Sequence, residues 1–140
     1  FTAAGIETKT ADDIRSVVWN KLLVNVGINA ITALTGIKNG QILDLEVTQE
    51  LSRAAVEEAM VVARVQGVNI RTDAAEHVLE VARATGPNRS SMGQDVDHRR
   101  QTEIGVINGV IVDEARKAGL EAPVNKALTA LIETLQAHYV

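Results

Sequence analysis

The sequence has 140 residues, near the commonest single-domain size, and its 46% hydrophobic content, mostly aliphatic, allows one buried core. Fourteen basic against eighteen acidic residues give a net charge of -4 with no basic stripe or interleaved aromatics, which argues against DNA and RNA partners. There is no cysteine, and His77, His98 and His138 lack paired-ligand spacing, so neither a disulfide framework nor a metal site is expected and an intracellular, cytoplasmic location is.

The chain opens with Phe1 rather than Met, and no charged segment precedes an apolar one, so no signal peptide is visible. Phe1-Thr2-Ala3-Ala4-Gly5-Ile6 reads as the tail of a preceding piece. From there on apolar residues recur every three or four positions, with almost no strand-like alternation, no repeat and no low-complexity segment. The expected fold is all-α.

Thr10-x-x-Asp13 has the form of a capping box and predicts a first helix over about 11–34, ended by Gly36. A turn at Asn39-Gly40 follows, and Thr48 is expected to cap a second helix running to Gly67, with Leu51, Ala55, Ala59 and Val62 on one face. Asp73-x-x-Glu76 opens a third helix that stops near Gly86-Pro87. Ser91-x-x-Gln94 reads as another capping box, a fourth helix spans about 102–118 before Gly119, and Pro123 starts a last helix that runs to the C-terminus. Five helices with short connections make one domain without an internal boundary.

From Val17 to Leu34 the only charge is Lys21 and the helix is apolar almost all round, so it is expected to be buried. A membrane span is not expected, because Lys21 at mid-helix costs roughly 2.5 to 3.5 kcal/mol on insertion scales and the asparagines add to that. At about 100° per residue, with Lys21 at 0°, Asn25 falls near 40°, Asn29 near 80° and Thr32 near 20°, while Asn20 falls off the stripe. A buried amide without partners costs roughly 1 to 3 kcal/mol, so the stripe is expected to face a wet cleft or a polar ligand. A cation flanked by amides suits a small carboxylate or an oxygen that becomes negative during reaction. The plainer alternative is that Lys21 extends to solvent and the asparagines bond neighbouring helices or a partner subunit, as buried amides set register in coiled coils.

The run Trp19-Asn20-Lys21-Leu22-Leu23-Val24-Asn25-Val26-Gly27-Ile28-Asn29-Ala30-Ile31-Thr32 resembles the opening helix of the C-terminal domain of the ketopantoate reductases. The resemblance continues through Lys38-Asn39-Gly40, Ser90-Ser91-Met92-x-Gln94-Asp95, Thr102-Glu103-Ile104, Ile107-Asn108-Gly109 and Pro123, and so spans essentially the whole chain. It implies a compact helical domain of the ketopantoate reductase and 6-phosphogluconate dehydrogenase C-terminal type. The family reduces 2-dehydropantoate to pantoate with NADPH, in pantothenate and hence coenzyme A synthesis. Its dinucleotide-binding domain precedes this one and starts with a glycine-rich loop; no Gly-x-Gly-x-x-Gly occurs here, so NADPH would be held mainly by a domain absent from this chain.

Carried over by the resemblance, Lys21 is the proton donor, Asn25, Asn29, Asn39 and Ser91 bind the 2-oxo acid, and Glu103 lies at the cleft between domains on the cofactor side. A lysine becomes a better acid where a cleft desolvates it. Each position has a plainer reading beside the functional one. Asn39-Gly40 is a common turn dipeptide that calls for positive φ, Ser91 reads as a helix cap whose free N–H groups also suit a carboxylate, and Glu103 reads as a first-turn acid favoured by the helix dipole. Asp95 reads as structural, and His98-Arg99-Arg100 as a solvated basic helix end. The partners expected are a small 2-oxo acid and the chain's own N-terminal domain, with a second copy in a homodimer left open and no nucleic acid and no membrane. Another 2-oxo acid, or a helical dimerisation module without catalysis, are the alternatives.

Overall fold

A computed structural model describes residues 10–139, and the leading Phe1–Ile6 segment lies outside them. The described residues form six α-helices and two short 3-10 turns, with no strand. Helix α1 is Ala11–Thr35, α2 Glu46–Val65, α3 Ala74–Ala84, α4 Ser91–Asp97, α5 Asn108–Lys117 and α6 Pro123–Ala137.

Both ends of α1 follow their local chemistry. The Thr10 hydroxyl accepts from the Asp13 N–H at 3.1 Å while Asp13 accepts from the Thr10 N–H at 3.2 Å, and Gly36 closes the helix at φ 79°, its N–H bonded to the Thr32 carbonyl. The helix runs through the middle of the domain, packed against α2, α3, α4 and α6. Leu23, Val26, Ile28, Ala30, Ile31 and Ala33 enter one continuous core with residues such as Val56, Val78, Met92, Ile111 and Ile132. Gly27 lets α2 and α3 approach, since a Cβ there would lie 2.6 Å from Val78 and 2.8 Å from Val56.

Burial does not extend along the whole helix. Val17 and Val18 are 55% and 58% exposed, Ile14 is also exposed, and full burial starts only at Leu23. The expectation that the whole 17–34 run is buried is therefore corrected: in the first half of α1 only one side, with Trp19 and Leu22, packs against the core, and Ile14, Val17 and Val18 face outward.

Two boundaries and one buried face also depart from the sequence reading. Helix α2 starts at Glu46, so Thr48 is not its cap; it lies inside the first turn, and its hydroxyl donates to the Ile42 and Leu45 carbonyls at 2.8 and 2.9 Å. On the expected face of α2, Ala55, Ala59 and Val62 are buried but Leu51 is exposed, and Ser52 takes its place facing the Gly27 carbonyl at 2.8 Å. The single helix expected over 102–118 breaks at Ile107, whose φ -111° and ψ -91° are not helical, leaving a 3-10 turn at Ile104–Val106 and then α5. Thr102, bonded to the Gln136 amide oxygen through both its N–H and its hydroxyl, anchors that break to α6.

Candidate functional site

The polar stripe on α1 is a single continuous feature, because nothing interrupts the helix between Lys21 and Thr32. Its residues grade from solvent to core: Lys21 is exposed, Asn25 is half-buried, Asn29 is 6% exposed and Thr32 is fully buried. Lys21 and Asn29 are about 12 Å apart along the axis, and the Cα–Cβ bonds of a helix tilt toward its N-terminus, so both amides lean toward the ammonium. No other described side chain or backbone group bonds the side chains of Lys21, Asn25 or Asn29. Three polar groups are thus left uncommitted on one face. Asn20, off the stripe, is already committed to the Ser16 carbonyl at 2.8 Å and the Arg71 N–H.

The buried end of the stripe is tied to the start of α4. The Thr32 and Ser90 hydroxyls are 2.6 Å apart, and Ser90 accepts from the Gly93 N–H at 3.0 Å, so Ser90 caps α4. This corrects the reading of Ser91-x-x-Gln94 as the capping box: Ser91 is the first helical residue, exposed, with its hydroxyl uncommitted among the described residues, and Gln94 bonds the Arg89 carbonyl instead. With only seven residues, α4 has a short dipole, so the hydroxyl of Ser91 rather than the helix end is its usable group.

Arg89, which sequence reasoning did not single out, ties these parts together. Its Nη1 donates to the Thr32 carbonyl and, at 2.8 Å, to the Ile37 carbonyl, while Nε and Nη2 hold Asp97 at 2.9 and 3.1 Å. The guanidinium keeps the Asp97 carboxyl below the usual carboxylate range, chiefly through that hydrogen bond. One signal pointed to it: the last turn of α1 holds no basic residue, so its open carbonyls need a donor from elsewhere in the chain.

Asn39 begins the 3-10 turn Asn39–Asp44, buried, with Nδ2 on the Thr85 hydroxyl at 3.0 Å and its backbone N–H on the Asn88 carbonyl at 2.9 Å. Its Oδ1 is buried without a partner. The turn does not use positive φ, which among the described glycines occurs only at Gly36, Gly67 and Gly119. Gly40 is needed for a different reason, since a Cβ there would lie 2.7 Å from the Gly86 Cα. Asn39 is therefore sewn to the same 85–90 loop that carries Ser90.

Glu103 is exposed and precedes the 3-10 turn, so it is not in the first turn of a long helix as its dipole reading required. Asp95 pairs with Arg100 at 3.1 Å, as a structural acid, and His98, Arg99 and Arg100 are exposed at the end of α4. Concavities of 320 to 530 Å³ lie beside α5, α6 and the end of α2, none lined by Lys21, Asn25 or Asn29. The described residues supply no strand and no glycine-rich loop, so they do not fit a dinucleotide by themselves.

A family model described as "Ketopantoate reductase PanE/ApbA C terminal" matches residues 13–136. Curated relatives named 2-dehydropantoate 2-reductase include one from Halobacterium salinarum, 35% identical over 97% of this chain and 45% of its own length. Another, from Pyrobaculum aerophilum, is 40% identical over 95% of this chain and 48% of its own. A crystal structure of a ketopantoate reductase from Ralstonia eutropha superposes with a TM-score of 0.86 at 32% identity, covering 97% of this chain and 46% of that one. A dimeric ketopantoate reductase from Staphylococcus aureus superposes with a TM-score of 0.80 at 27% identity over 94% and 45%. The chain spans about half the length of the curated relatives it matches.

Proposed function

The chain belongs to the ketopantoate reductase family, as the helical C-terminal domain, and from that premise we propose that it is the substrate-binding and proton-donating half of an NADPH-dependent reductase acting on 2-dehydropantoate. The observation that carries this reading is the uncommitted stripe of Lys21, Asn25 and Asn29 on one face of α1, graded from solvent to core. Asn29 is 6% exposed as a residue, yet its amide is not among the buried polar atoms without a partner, so it reaches a small opening where a polar ligand can replace water.

NADPH, held mainly by a nucleotide domain that this chain does not contain, would supply the hydride. The chain's own residues do the rest. As the C2 carbonyl carbon becomes tetrahedral, negative charge gathers on its oxygen, and Lys21 delivers a proton to that atom from its ammonium. Asn25 and Asn29 donate hydrogen bonds that orient the acid along the helix, and Ser91 supplies a hydroxyl for its carboxylate. Asn39 and Glu103 are placed in this reading as a further substrate contact and a contact on the cofactor side. Because Lys21 is exposed here, the water-excluding wall has to come from the nucleotide domain. A cytoplasmic location and a place in coenzyme A synthesis go with this reading.

The test is kinetic. In the full-length protein that carries this domain, Lys21→Ala should lower kcat by about 10²- to 10⁴-fold, the usual contribution of a positioned general acid, with a much smaller change in KM. An unchanged kcat removes Lys21 from the mechanism.

A second reading is favoured by one observation. Ile14, Val17 and Val18, the exposed apolar residues of α1, lie near 20°, -40° and 60° on the scale that puts Lys21 at 0°, and so share the stripe's face. A helical association surface would use such a face, and a family relative from Staphylococcus aureus is dimeric. Light scattering on the full-length protein carrying Val17→Asp tests it: a dimer that falls apart supports that reading, and an unchanged mass removes it.

A further inference from the structure

We propose that Arg89 is a positioning residue, which holds the Ser90–Ser91 segment against the Asn29–Thr32 end of the α1 stripe and so sets the affinity for the 2-oxo acid. The inference rests on the reductase reading above. Its own support is one guanidinium that bonds the end of α1 and the end of α4 at once.

On one side Nη1 bonds the Thr32 carbonyl, the last part of the stripe, and the Ile37 carbonyl just past the end of α1. On the other side Nε and Nη2 make a two-point contact with Asp97, the last residue of α4. Between them the guanidinium lies flat on Gly93, where a Cβ would be 2.5 to 2.8 Å from its Cζ, Nη1 and Nε. Its side chain is 17% exposed, so the contacts are mostly shielded from water. The residue after Arg89 is Ser90, whose hydroxyl is on Thr32, and the next is Ser91. The Asn39 turn and the buried Met92 also hold this loop, but among the described residues the side-chain hydrogen bonds between the end of α1 and the 89–97 segment are made by Arg89 and Ser90.

The geometry also explains why a glycine stands in the first turn of a seven-residue helix, where it weakens the helix. A Cβ at Gly93 would have to push the guanidinium aside, a shift opposed by the hydrogen bonds that hold it to Ile37 and Asp97. Lysine does not replace the arrangement, because an ammonium can reach the two carbonyls but cannot make the planar two-point contact with Asp97.

The experiment uses the full-length protein with 2-dehydropantoate as probe and compares Arg89→Gln, Arg89→Lys, Gly93→Ala and Lys21→Ala. Arg89→Gln and Gly93→Ala are expected to raise KM by about tenfold or more while kcat changes by less than about threefold, since a displaced positioning group weakens binding without touching the reacting atoms. Arg89→Lys should fall between. A role confined to holding the fold would lower the unfolding temperature of these variants and leave KM alone. If Arg89→Gln does not fold, Gly93→Ala and Arg89→Lys read the same effect with every other hydrogen-bonding side chain intact. Folded variants with the wild-type KM overturn the inference. Should Lys21→Ala keep full kcat, the reductase reading itself fails; should it lose kcat while the Arg89 variants keep KM, only the role of Arg89 falls.

Discussion

Asn29 and Asn125 have the same side chain and are both buried in this domain, yet their surroundings differ completely. The Asn125 amide donates to the Ala55 carbonyl and Glu58 and accepts from Asn108, so every polar atom has a use inside the fold. Asn29 makes no side-chain bond among the described residues. Substituting each by alanine should separate the two roles. Asn125→Ala is expected to destabilise by roughly 1 to 3 kcal/mol, measured by urea unfolding, because Asn108 and the Ala55 carbonyl lose their partner. Asn29→Ala should cost little stability or even gain some, while KM for the 2-oxo acid rises in the full-length protein. A large stability loss at Asn29 would mean that the amide is structural. Asp97 gives a pH-dependent test at the same scale. Its carboxyl titrates lower in the folded chain than unfolded, because Arg89 bonds the charged form, so its contribution is present above the unfolded carboxylate range and is lost as pH falls through the lowered folded value. The stability gap between wild type and Asp97→Asn should thus be largest near neutrality and close on the acid side. A gap that is constant with pH would sever the pair from the acid response.

At the scale of elements, α1 is held by what its neighbours need from it as much as by its own sequence. Gly27 is a helix-interior glycine, which ordinarily costs about 1 kcal/mol relative to alanine. Here the added methyl would meet Val78, Val56 and the Ser52 hydroxyl at 2.6 to 2.9 Å, and all three are buried side chains with short reach. Gly27→Ala is therefore expected to destabilise by about 1 to 3 kcal/mol and lower Tm by roughly 3 to 10 °C, against the gain that helix propensity alone predicts. A higher Tm would show that α2 and α3 can move apart. Glu58 supplies a comparable dependence for α6, accepting from the Val124 and Asn125 N–H groups at 2.9 and 3.0 Å, so a side chain from α2 caps a helix whose own N-cap, Ala122, cannot.

On the scale of the whole molecule, the exposed apolar residues of the first half of α1 continue into Lys21 and the half-buried Asn25 on one face, which the domain covers only from Asn29 onward. By length and composition α1 could cross a membrane, but half of its most apolar stretch is buried inside the domain. The face is instead suited to close against a second body, and the missing half of the relatives' length is the natural candidate within the reductase reading. The 140-residue chain alone should accordingly show no turnover and no measurable heat on titration with NADPH. Tight cofactor binding by this chain would contradict the division of labour proposed here.

Local chemistry was legible from the amino-acid order: the Thr10–Asp13 box, the Gly36 stop, Pro123 at the start of α6 and the angular alignment of Lys21, Asn25 and Asn29 all depend on residues within a turn or two of each other. The all-helical class and the family resemblance followed from the same short-range patterns. Tertiary structure alone decided how far α1 is buried, that Ser90 rather than Ser91 caps α4, that the expected fourth helix breaks at Ile107, and that Arg89 joins the ends of α1 and α4. Those outcomes depend on partners 50 or more residues away, such as Thr32 for Ser90 and Arg89, or on a helix packed alongside, such as Gln136 beside Thr102. Periodicity reports which face of a helix is apolar, whereas the presence of a neighbour to cover that face is a property of the packed chain.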